Sequence, residues 1–423
     1  MYTIVNGVKY NISGFVHKHP GGTTSILHAA GRDATNLVAA YHADVGSIER
    51  VLRTRCPHGP IPAVAPSSAG EKDNFYHELK CAMSTYLRDR RSDGKATWAH
   101  CAMVATFGAA TAAIWLAWWC GRWWAPLLVA PVHWLFAINT SHDASHFAFS
   151  RTPWVNDCLA YTATPFLYNV LPWYFEHGCS HHAETNVHGQ DEDLHHSFGL
   201  IRYSPHAEWR WWHCPQLLTV LVGHMLFTSV VLALVYPVLN AVDAHLGTTL
   251  LFPSVRNKQH LNANLWRQSL LQWVVSVATL AVPFLRYSTS MAAYFTLTPW
   301  CMASVIFTLV TQVSHLQQEC FEPPHANAEA DRHAAWYRRQ VESSVDYHVG
   351  SDVCRILTGG VNVQSLHHLL PGLHPCHFTG FYPIYAHVAR KHGLHVRVMP
   401  SFAAAFCGFL TLIRKNASPG HSN

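Results

Sequence analysis

The sequence predicts a mostly helical, multi-pass membrane protein with a small α+β module at its N-terminus. Hydrophobic residues make up 49% of the 423 residues and charged residues only 13%, whereas a soluble domain is about 25% charged. Uncharged apolar stretches close to the length that crosses a bilayer recur between residues 101 and 313. Ahead of them, residues 1–55 combine short β-like runs, turn residues and a helical stretch.

Composition also excludes several classes of protein. The apolar content, with 16 Trp, 16 Tyr and 20 Phe, rules out an intrinsically disordered chain. The net charge of +5 is small and spread out, so we expect no nucleic-acid partner. The twelve cysteines form no CxxC pair, which favours buried thiols in a reducing compartment. The start of the chain shows no signal-peptide pattern.

The N-terminal module is predicted to begin with two short strands joined at Asn6-Gly7. A turn follows in which His19 precedes Pro20-Gly21-Gly22; Pro fixes one backbone torsion and Gly permits the next. A histidine held on such a turn suits an axial haem ligand. The second ligand required on the opposite face of the ring is His42, 23 residues further on, and His17 and His28 are weaker candidates.

Residues 1–55 resemble the cytochrome b5 haem-binding domain, whose signature is this turn with a downstream histidine. The resemblance implies that His19 and His42 hold a haem b. The module is shorter at its N-terminus than a full domain of that kind. Residues 56–95 are predicted as a linker, rich in Pro, Gly and Ser over 56–73, followed by an amphipathic segment. We expect a membrane domain over 96–415 and a tail over 416–423.

The first two apolar stretches, 101–121 and 123–139, are separated only by Arg122 and predict a membrane hairpin. Two buried helices of a soluble protein are the alternative. The basic residues that precede the hairpin predict that the N-terminal region is cytosolic; they are Arg88, Arg90, Arg91 and Lys95.

Three further apolar stretches follow, over 216–242, 268–285 and 291–313. The last two form a second predicted hairpin. The first contains His224 and Pro237, and we expect these residues to break it, so that it lies in the interface or folds back. The sequence therefore predicts about four transmembrane helices, with both termini on the cytosolic side.

Histidines are concentrated in three clusters and one single position beside these stretches. In each cluster two of the candidate ligands lie four residues apart, which places them on one face of a helix. Eight histidines and one glutamine exceed the needs of one tetrahedral ion and suit two metals, although imidazole alone does not select the metal. The candidate ligands are His142, His146, His177, His181, His182, His315, Gln364, His367 and His368.

These clusters resemble the histidine boxes of the membrane fatty acid desaturase family, and more narrowly of front-end desaturases with a fused cytochrome b5 domain. The boxes read His-Asp-x-x-His at 142–146, His-x-x-x-His-His at 177–182 and Gln-x-x-His-His at 364–368. The resemblance implies a di-iron centre held by the nine residues above. It also implies that Asp143 and Asn186 orient the imidazoles. Two departures are Ser365-Leu366 in the third box and Glu184 after the second.

The function that the resemblance implies is O2-dependent insertion of a cis double bond between the carboxyl group and an existing double bond of a polyunsaturated acyl chain. Electrons would come from NADH through a separate NADH-cytochrome b5 reductase and the haem. The substrate would be a phospholipid-linked or CoA-linked acyl chain, and the site would be the endoplasmic reticulum membrane, with a cytosolic active site. The aromatic residues of 115–124 and 173–175 line the acyl slot or form interfacial belts.

Other functions share parts of this pattern. A membrane fatty acid hydroxylase and a sphingolipid long-chain-base desaturase would use similar ligands, and a b5-type membrane electron carrier would need only the haem module. The motifs do not report the position of the double bond.

Overall fold

The computed structural model describes residues 1–42, 45–60, 74–194, 197, 199–248, 250–253, 263–321 and 336–419. Its N-terminal module is a three-stranded antiparallel sheet covered by short helices. Strand β1 (Tyr2–Val5) pairs with β2 (Val8–Asn11), and β2 pairs with β3 (His58–Pro60). Asn6 and Gly7 both have positive φ angles, as an Asn-Gly hairpin turn requires, and the predicted hairpin is confirmed. Helices α1 (Thr23–Leu27), α2 (Thr35–Tyr41) and α3 (Val45–Arg55) complete the module.

The sheet therefore continues beyond residue 55, into the segment predicted as a linker, of which residues 61–73 lie outside the described part of the chain. The amphipathic segment forms helix α4 (Asn74–Asp89), which buries Phe75 and Leu79.

The membrane part consists of long helices with short connecting elements. Their bounds are α5 (Trp98–Trp119), α6 (Ala125–Ala137) with a π-helical continuation (Ile138–His142), α7 (Pro153–Leu159), α8 (Val170–Trp173) with a π-helical continuation (Tyr174–His181), α9 (Gln216–Leu246), α10 (Ala263–Arg286) and α11 (Thr289–Thr311).

Four helices of the described residues are long and apolar enough to cross a membrane, which confirms the predicted number but not their identity. They are α5, α9, α10 and α11; α6 is missing because its apolar part ends after 13 residues, at the polar π-helical turn. The expectation that His224 and Pro237 break the third stretch is wrong, because α9 runs through both residues. A π-helical turn (Val231–Val235) precedes Pro237, and such a turn accommodates a residue without an N–H, so α9 continues through it.

Both predicted hairpins are present, and their turns lie together at one end of the bundle. Arg286 Nη1 donates to the Trp119 carbonyl (2.7 Å), and Tyr294 Oη donates to the Trp123 carbonyl (2.9 Å). Among the described residues, the hydrogen bonds that join α9 to α10 and α11 lie away from this end. Ser229 N donates to Ser304 Oγ (3.0 Å), and Trp273 Nε1 donates to the Leu234 carbonyl (3.1 Å).

The C-terminal region covers the opposite end of the bundle. It contains α12 (Trp336–Glu342), α13 (Asp352–Thr358), α14 (Gln364–Leu369), α15 (Phe378–Lys391) and α16 (Phe402–Asn416), and the short parallel strands β4 (Asp346–Tyr347) and β5 (Val398–Met399). Trp134 Nε1 donates to the Leu357 carbonyl (2.8 Å), which joins α6 to α13. Helix α16 includes the first residue of the predicted tail, and residues 420–423 lie outside the described part.

Candidate metal centre and haem cavity

The nine candidate ligands converge at the end of the bundle opposite the hairpin turns. They come from four places: the end of α6, the π-helical continuation of α8, the residues after α11, and α14. None of the nine side chains belongs to a residue more than 5% exposed. Segments more than 200 residues apart in sequence therefore build one water-excluded site.

The first group of candidate ligands contains histidines from all three boxes. The ligand atoms of His142, His146, His177 and His367 all lie within 4.8 Å of one another. His146 Nε2 and His177 Nε2 are 3.0 Å apart, and His182 Nε2 is 3.2 Å from His177 Nε2.

A second group lies beside it. His181, His315 and His368 converge in the same way, and His181 Nε2 is 3.2 Å from His315 Nε2. The Gln364 amide nitrogen is 2.8 Å from His315 Nε2 and 3.2 Å from His368 Nε2. The His182 ring stacks on His368 at a centroid distance of 4.2 Å, so His182 stands between the two groups.

The donor set fits two transition-metal ions. Ring nitrogens bound to one metal at about 2.1 Å are about 3.0–3.4 Å from each other, which is the spacing found here. Among the described residues, His367 Nε2 and Gln364 Oε1 are buried without a hydrogen-bond partner. A buried polar atom without a partner is costly, and a cation in each group would remove that cost at the position that belongs to it.

Several ligands have their outer nitrogen fixed by a specific acceptor. His181 Nδ1 donates to Asp191 (3.0 Å), His315 Nδ1 to the Ser343 carbonyl (3.0 Å) and His368 Nδ1 to Gln340 Oε1 (2.8 Å). Each bond selects the tautomer whose Nε2 lone pair faces the group.

The two residues predicted to orient imidazoles lie at the site but act differently. Asp143 Oδ1 is 3.6 Å from His142 Nδ1, and its Oδ2 is 3.1 Å from His374 Nε2. Asn186 contacts backbone instead of a ring in the described residues, and donates to the carbonyls of His315 (3.1 Å) and Ser343 (3.2 Å). It thereby supports the carbonyl that accepts the bond from His315.

Sequence reasoning missed Asp191, Gln340, Ser343 and His374. Asp191 follows its partner His181 by ten residues, and Gln340 precedes His368 by 28, so no helical spacing links either pair. Only the clustering of buried polar residues within apolar surroundings hints at them. Of the two departures noted in the boxes, Ser365 Oγ donates to Asp346 Oδ2 (2.6 Å), and Glu184 pairs with Arg339 (3.2 Å).

His19 and His42 face each other across a cavity of about 710 Å³. Their ring centroids are 6.2 Å apart, which leaves room for one metal ion between the two rings. His19 Nδ1 donates to the Gly22 carbonyl (3.2 Å) and His42 Nδ1 to the Val38 carbonyl (3.1 Å), so both Nε2 atoms are left for a ligand bond. Burial lowers the pKa of His19, and lowers the pKa of His42 to about 4, which keeps both rings neutral.

The competing histidines have other surroundings. His17 is exposed. His28 is buried and its ring packs against Tyr174 at a centroid distance of 3.8 Å, with the two ring planes tilted by 38°. The cavity thus fits a haem held by the pair predicted from the sequence.

The module docks directly on the segment that carries the second box. Tyr174 Oη donates to the Thr24 carbonyl (3.0 Å), and Arg32 donates to the Cys179 carbonyl. Residues from outside the module also line the haem cavity, among them Lys95, Phe147 and Arg151.

An apolar helix bundle with a buried multi-histidine centre and an attached bis-histidine cavity defines a membrane metalloprotein with its own haem module. Residues 117–400 match the family model for fatty acid desaturase, and residues 1–61 match that for the cytochrome b5-like haem/steroid binding domain. The chain therefore belongs to the fatty acid desaturase family of oxidoreductases and carries an N-terminal cytochrome b5-like domain.

Curated relatives cover nearly the whole chain. An acyl-lipid omega-13 desaturase of Chlamydomonas reinhardtii is 29% identical over 96% of this chain and 91% of its own length. A probable Delta(5) fatty acid desaturase C of Dictyostelium discoideum is 25% identical over 95% and 88%. An acyl-lipid (8-3)-desaturase of Mortierella alpina is 25% identical over 98% and 93%.

Proposed function

We propose that the protein is a front-end desaturase that inserts a cis double bond into a polyunsaturated acyl chain attached to a lipid. The observation that carries the proposal is the convergence of eight histidines and Gln364 into two adjacent groups beside a bis-histidine cavity. The names of two relatives support an acyl-lipid substrate. The name Delta(5) of a third supports a double bond near the carboxyl end. The exact position is not part of the proposal.

Two irons in these groups would supply O2 activation, and a haem b between His19 and His42 would supply single electrons. The first iron would be held by His142, His146, His177 and His367, the second by His181, His315, His368 and Gln364, and His182 would stand between them. The overall reaction removes two hydrogens from neighbouring methylenes; with O2, two electrons and two protons it yields a double bond and two waters. NADH, acting through a separate cytochrome b5 reductase, would be the electron source.

The protein holds the ligand rings in fixed orientations and keeps water away from the site. The acceptors on His181, His315 and His368 hold each ring in one tautomer. Trp173 stacks on His177 at 4.1 Å and on Tyr168 at 4.1 Å, which gives the site an apolar wall. The aromatic residues at 173–175 are thus buried at the centre, whereas Trp119 and Trp123 are exposed beside the hairpin turns, as expected of a membrane interface.

We propose that the protein lies in the endoplasmic reticulum membrane with both termini cytosolic. The arrangement of the helices supports a site on one face of the membrane. We propose that the two hairpins, α5–α6 and α10–α11, cross the bilayer and that α9 does not. The 22 residues of α5 span about 33 Å, close to the hydrocarbon thickness. The hydrogen bonds that α9 makes to α10 and α11 among the described residues lie in the halves of these helices away from their turn.

The activity is tested by expression in yeast supplied with several polyunsaturated acids, followed by chromatography of lipid-linked and free products. We expect one new double bond on the carboxyl side of an existing one. His182→Ala and His367→Ala should abolish it, and His395→Ala, at an exposed histidine, should not. Full activity in either box variant would contradict the proposal.

The same experiment separates the alternatives. A hydroxylated product would identify a hydroxylase, and an altered long-chain base would identify a sphingolipid desaturase. Haem without iron in the purified protein would identify an electron carrier.

Two native cysteines test the orientation. Cys120 lies at the hairpin turn and Cys81 on α4, and both are exposed. Among variants that keep a single cysteine, an impermeant maleimide added to sealed microsomes should label Cys81 but reach Cys120 only after detergent is added. Labelling of Cys120 in sealed vesicles would reject the topology. Microscopy of a tagged chain tests the organelle.

A further inference from the structure

One residue of the haem module reaches the metal centre. Tyr41 ends α2, and the next residue is the haem-ligand candidate His42. Tyr41 Oη is 2.9 Å from Nδ1 of His146, a residue of the first metal group. The two candidate cofactor sites are thus joined by one peptide bond, one phenol side chain and one hydrogen bond.

The direction of this hydrogen bond follows from the position of the ring. His146 Nε2 faces His177 Nε2 at 3.0 Å and is therefore the inner nitrogen. When Nε2 binds a metal, Nδ1 carries the proton and donates it to the Tyr41 hydroxyl oxygen. Tyr41 thus occupies the place that Asp191 takes for His181.

The end of α2 is held from a second side by α4. Tyr76 Oη lies 3.0 Å from the Ala39 carbonyl and 2.9 Å from the Leu369 carbonyl, directly after His368. Lys80 is buried and donates to the carbonyls of Ala39 and His42. The last turn of α2 is therefore fixed relative to both metal groups and has little freedom to move.

We propose that Tyr41 is the positioning residue that couples the haem module to the metal centre by holding His42 and His146 in fixed register. The inference rests on the ligand assignments of the proposed function. With a haem held by His19 and His42 and metals held by the two histidine groups, each transfer would move one electron from the haem to the metals. The haem would be oxidised by one electron and the metal pair reduced by one. Tyr41 keeps its own electrons and its proton. The external reductant restores the haem.

Tyr41→Phe tests the coupling because it removes only the hydroxyl group. Tyr10→Phe is the matched control, since Tyr10 is buried in the same module and its hydroxyl has no partner among the described residues. The purified holoprotein, reduced completely with dithionite and methyl viologen, is mixed with O2 and acyl substrate. Haem absorbance then reports electron departure, and iron content and first-turnover product are measured on the same samples.

We expect haem oxidation in Tyr41→Phe to slow by about tenfold, the equivalent of one hydrogen bond of about 1.4 kcal/mol. Iron content and first-turnover product should stay at the level of Tyr10→Phe, because the mediator reduces the metals directly. Equal haem oxidation rates in the two variants would overturn the proposal.

Two other results also decide the matter. Loss of iron with unchanged haem oxidation would overturn the proposal by assigning Tyr41 to His146 alone. Absence of haem or iron from the unsubstituted protein would overturn the proposed function together with this inference, which distinguishes that failure from the failure of the coupling alone.

Discussion

Gly178 is the position at which the haem module most closely approaches the second histidine box. It lies in the π-helical segment between His177 and His181. A Cβ atom on Gly178 would stand 2.5 Å from His28 Nε2 and 2.8 Å from His28 Cδ2, whereas ordinary contacts of a Cβ begin at 3.4 Å. Gly178→Ala should therefore push the module away from the centre.

The size of the effect follows from two opposing contributions. Alanine in place of a helical glycine stabilises by about 1 kcal/mol. Overpacking at a filled contact costs about 1–3 kcal/mol. The net cost to the stability of the folded, docked chain is therefore up to about 2 kcal/mol. Docking alone bears the full overpacking cost, because the gain in helix propensity is the same with the module docked or undocked.

The matched control is Gly223→Ala, because Gly223 also lies in a π-helical turn. Among the described residues, its added Cβ would meet only Thr219 Cγ2 within 4 Å, at 3.9 Å. Apparent melting temperature at a fixed scan rate and the rate of desaturation are measured for both variants. We expect Gly223→Ala to match or exceed the parent in melting temperature and Gly178→Ala to fall in both measurements. In a chain that already carries His28→Ala, Gly178→Ala should have little further effect on melting temperature or on the rate of desaturation. If the two alanine variants behave alike, the contact with His28 does not constrain the module.

Four further outcomes are expected. His19→Ala should lose the haem absorbance and keep its iron, whereas His17→Ala should keep both. Asp191→Asn should lower iron affinity by about 10–100-fold, measured by metal analysis after dialysis, because His181 loses the acceptor that fixes its tautomer. Lys80→Met should weaken haem retention, because two carbonyls lose a charged hydrogen-bond donor, at a cost of about 1–3 kcal/mol. The control Lys391→Met breaks an exposed ion pair with a glutamate and should change the free energy of unfolding by less than about 1 kcal/mol. Removing iron with a chelator should lower the apparent melting temperature and leave the haem spectrum intact; an unchanged melting curve would argue against metals in the histidine groups.

The features that the sequence predicted well depend on local spacing. Asn6-Gly7 produces its hairpin turn because both residues tolerate positive φ. The four-residue spacing of His142 and His146 places both rings in one group. Each of these patterns is contained within a few residues, so neighbouring sequence suffices to read it.

The features that it predicted poorly depend on long-range packing. Pro237 ordinarily ends a helix, but the π-helical turn before it lets α9 continue. Asp191 and Gln340 carry no motif, because they meet their histidines only through the folding of distant segments. The contact of Tyr41 with His146 joins residues 105 positions apart in two different parts of the chain.

The cavity between His19 and His42 is lined in part by three residues from outside the module, Lys95, Phe147 and Arg151. A haem bound there would touch both halves of the chain at once, so we expect haem binding to depend on both halves together. A chimaera in which the b5 domain of another protein replaces the module, with the rest of the cavity lining left unchanged, should bind haem weakly. A haem titration of the chimaera measures this loss of affinity.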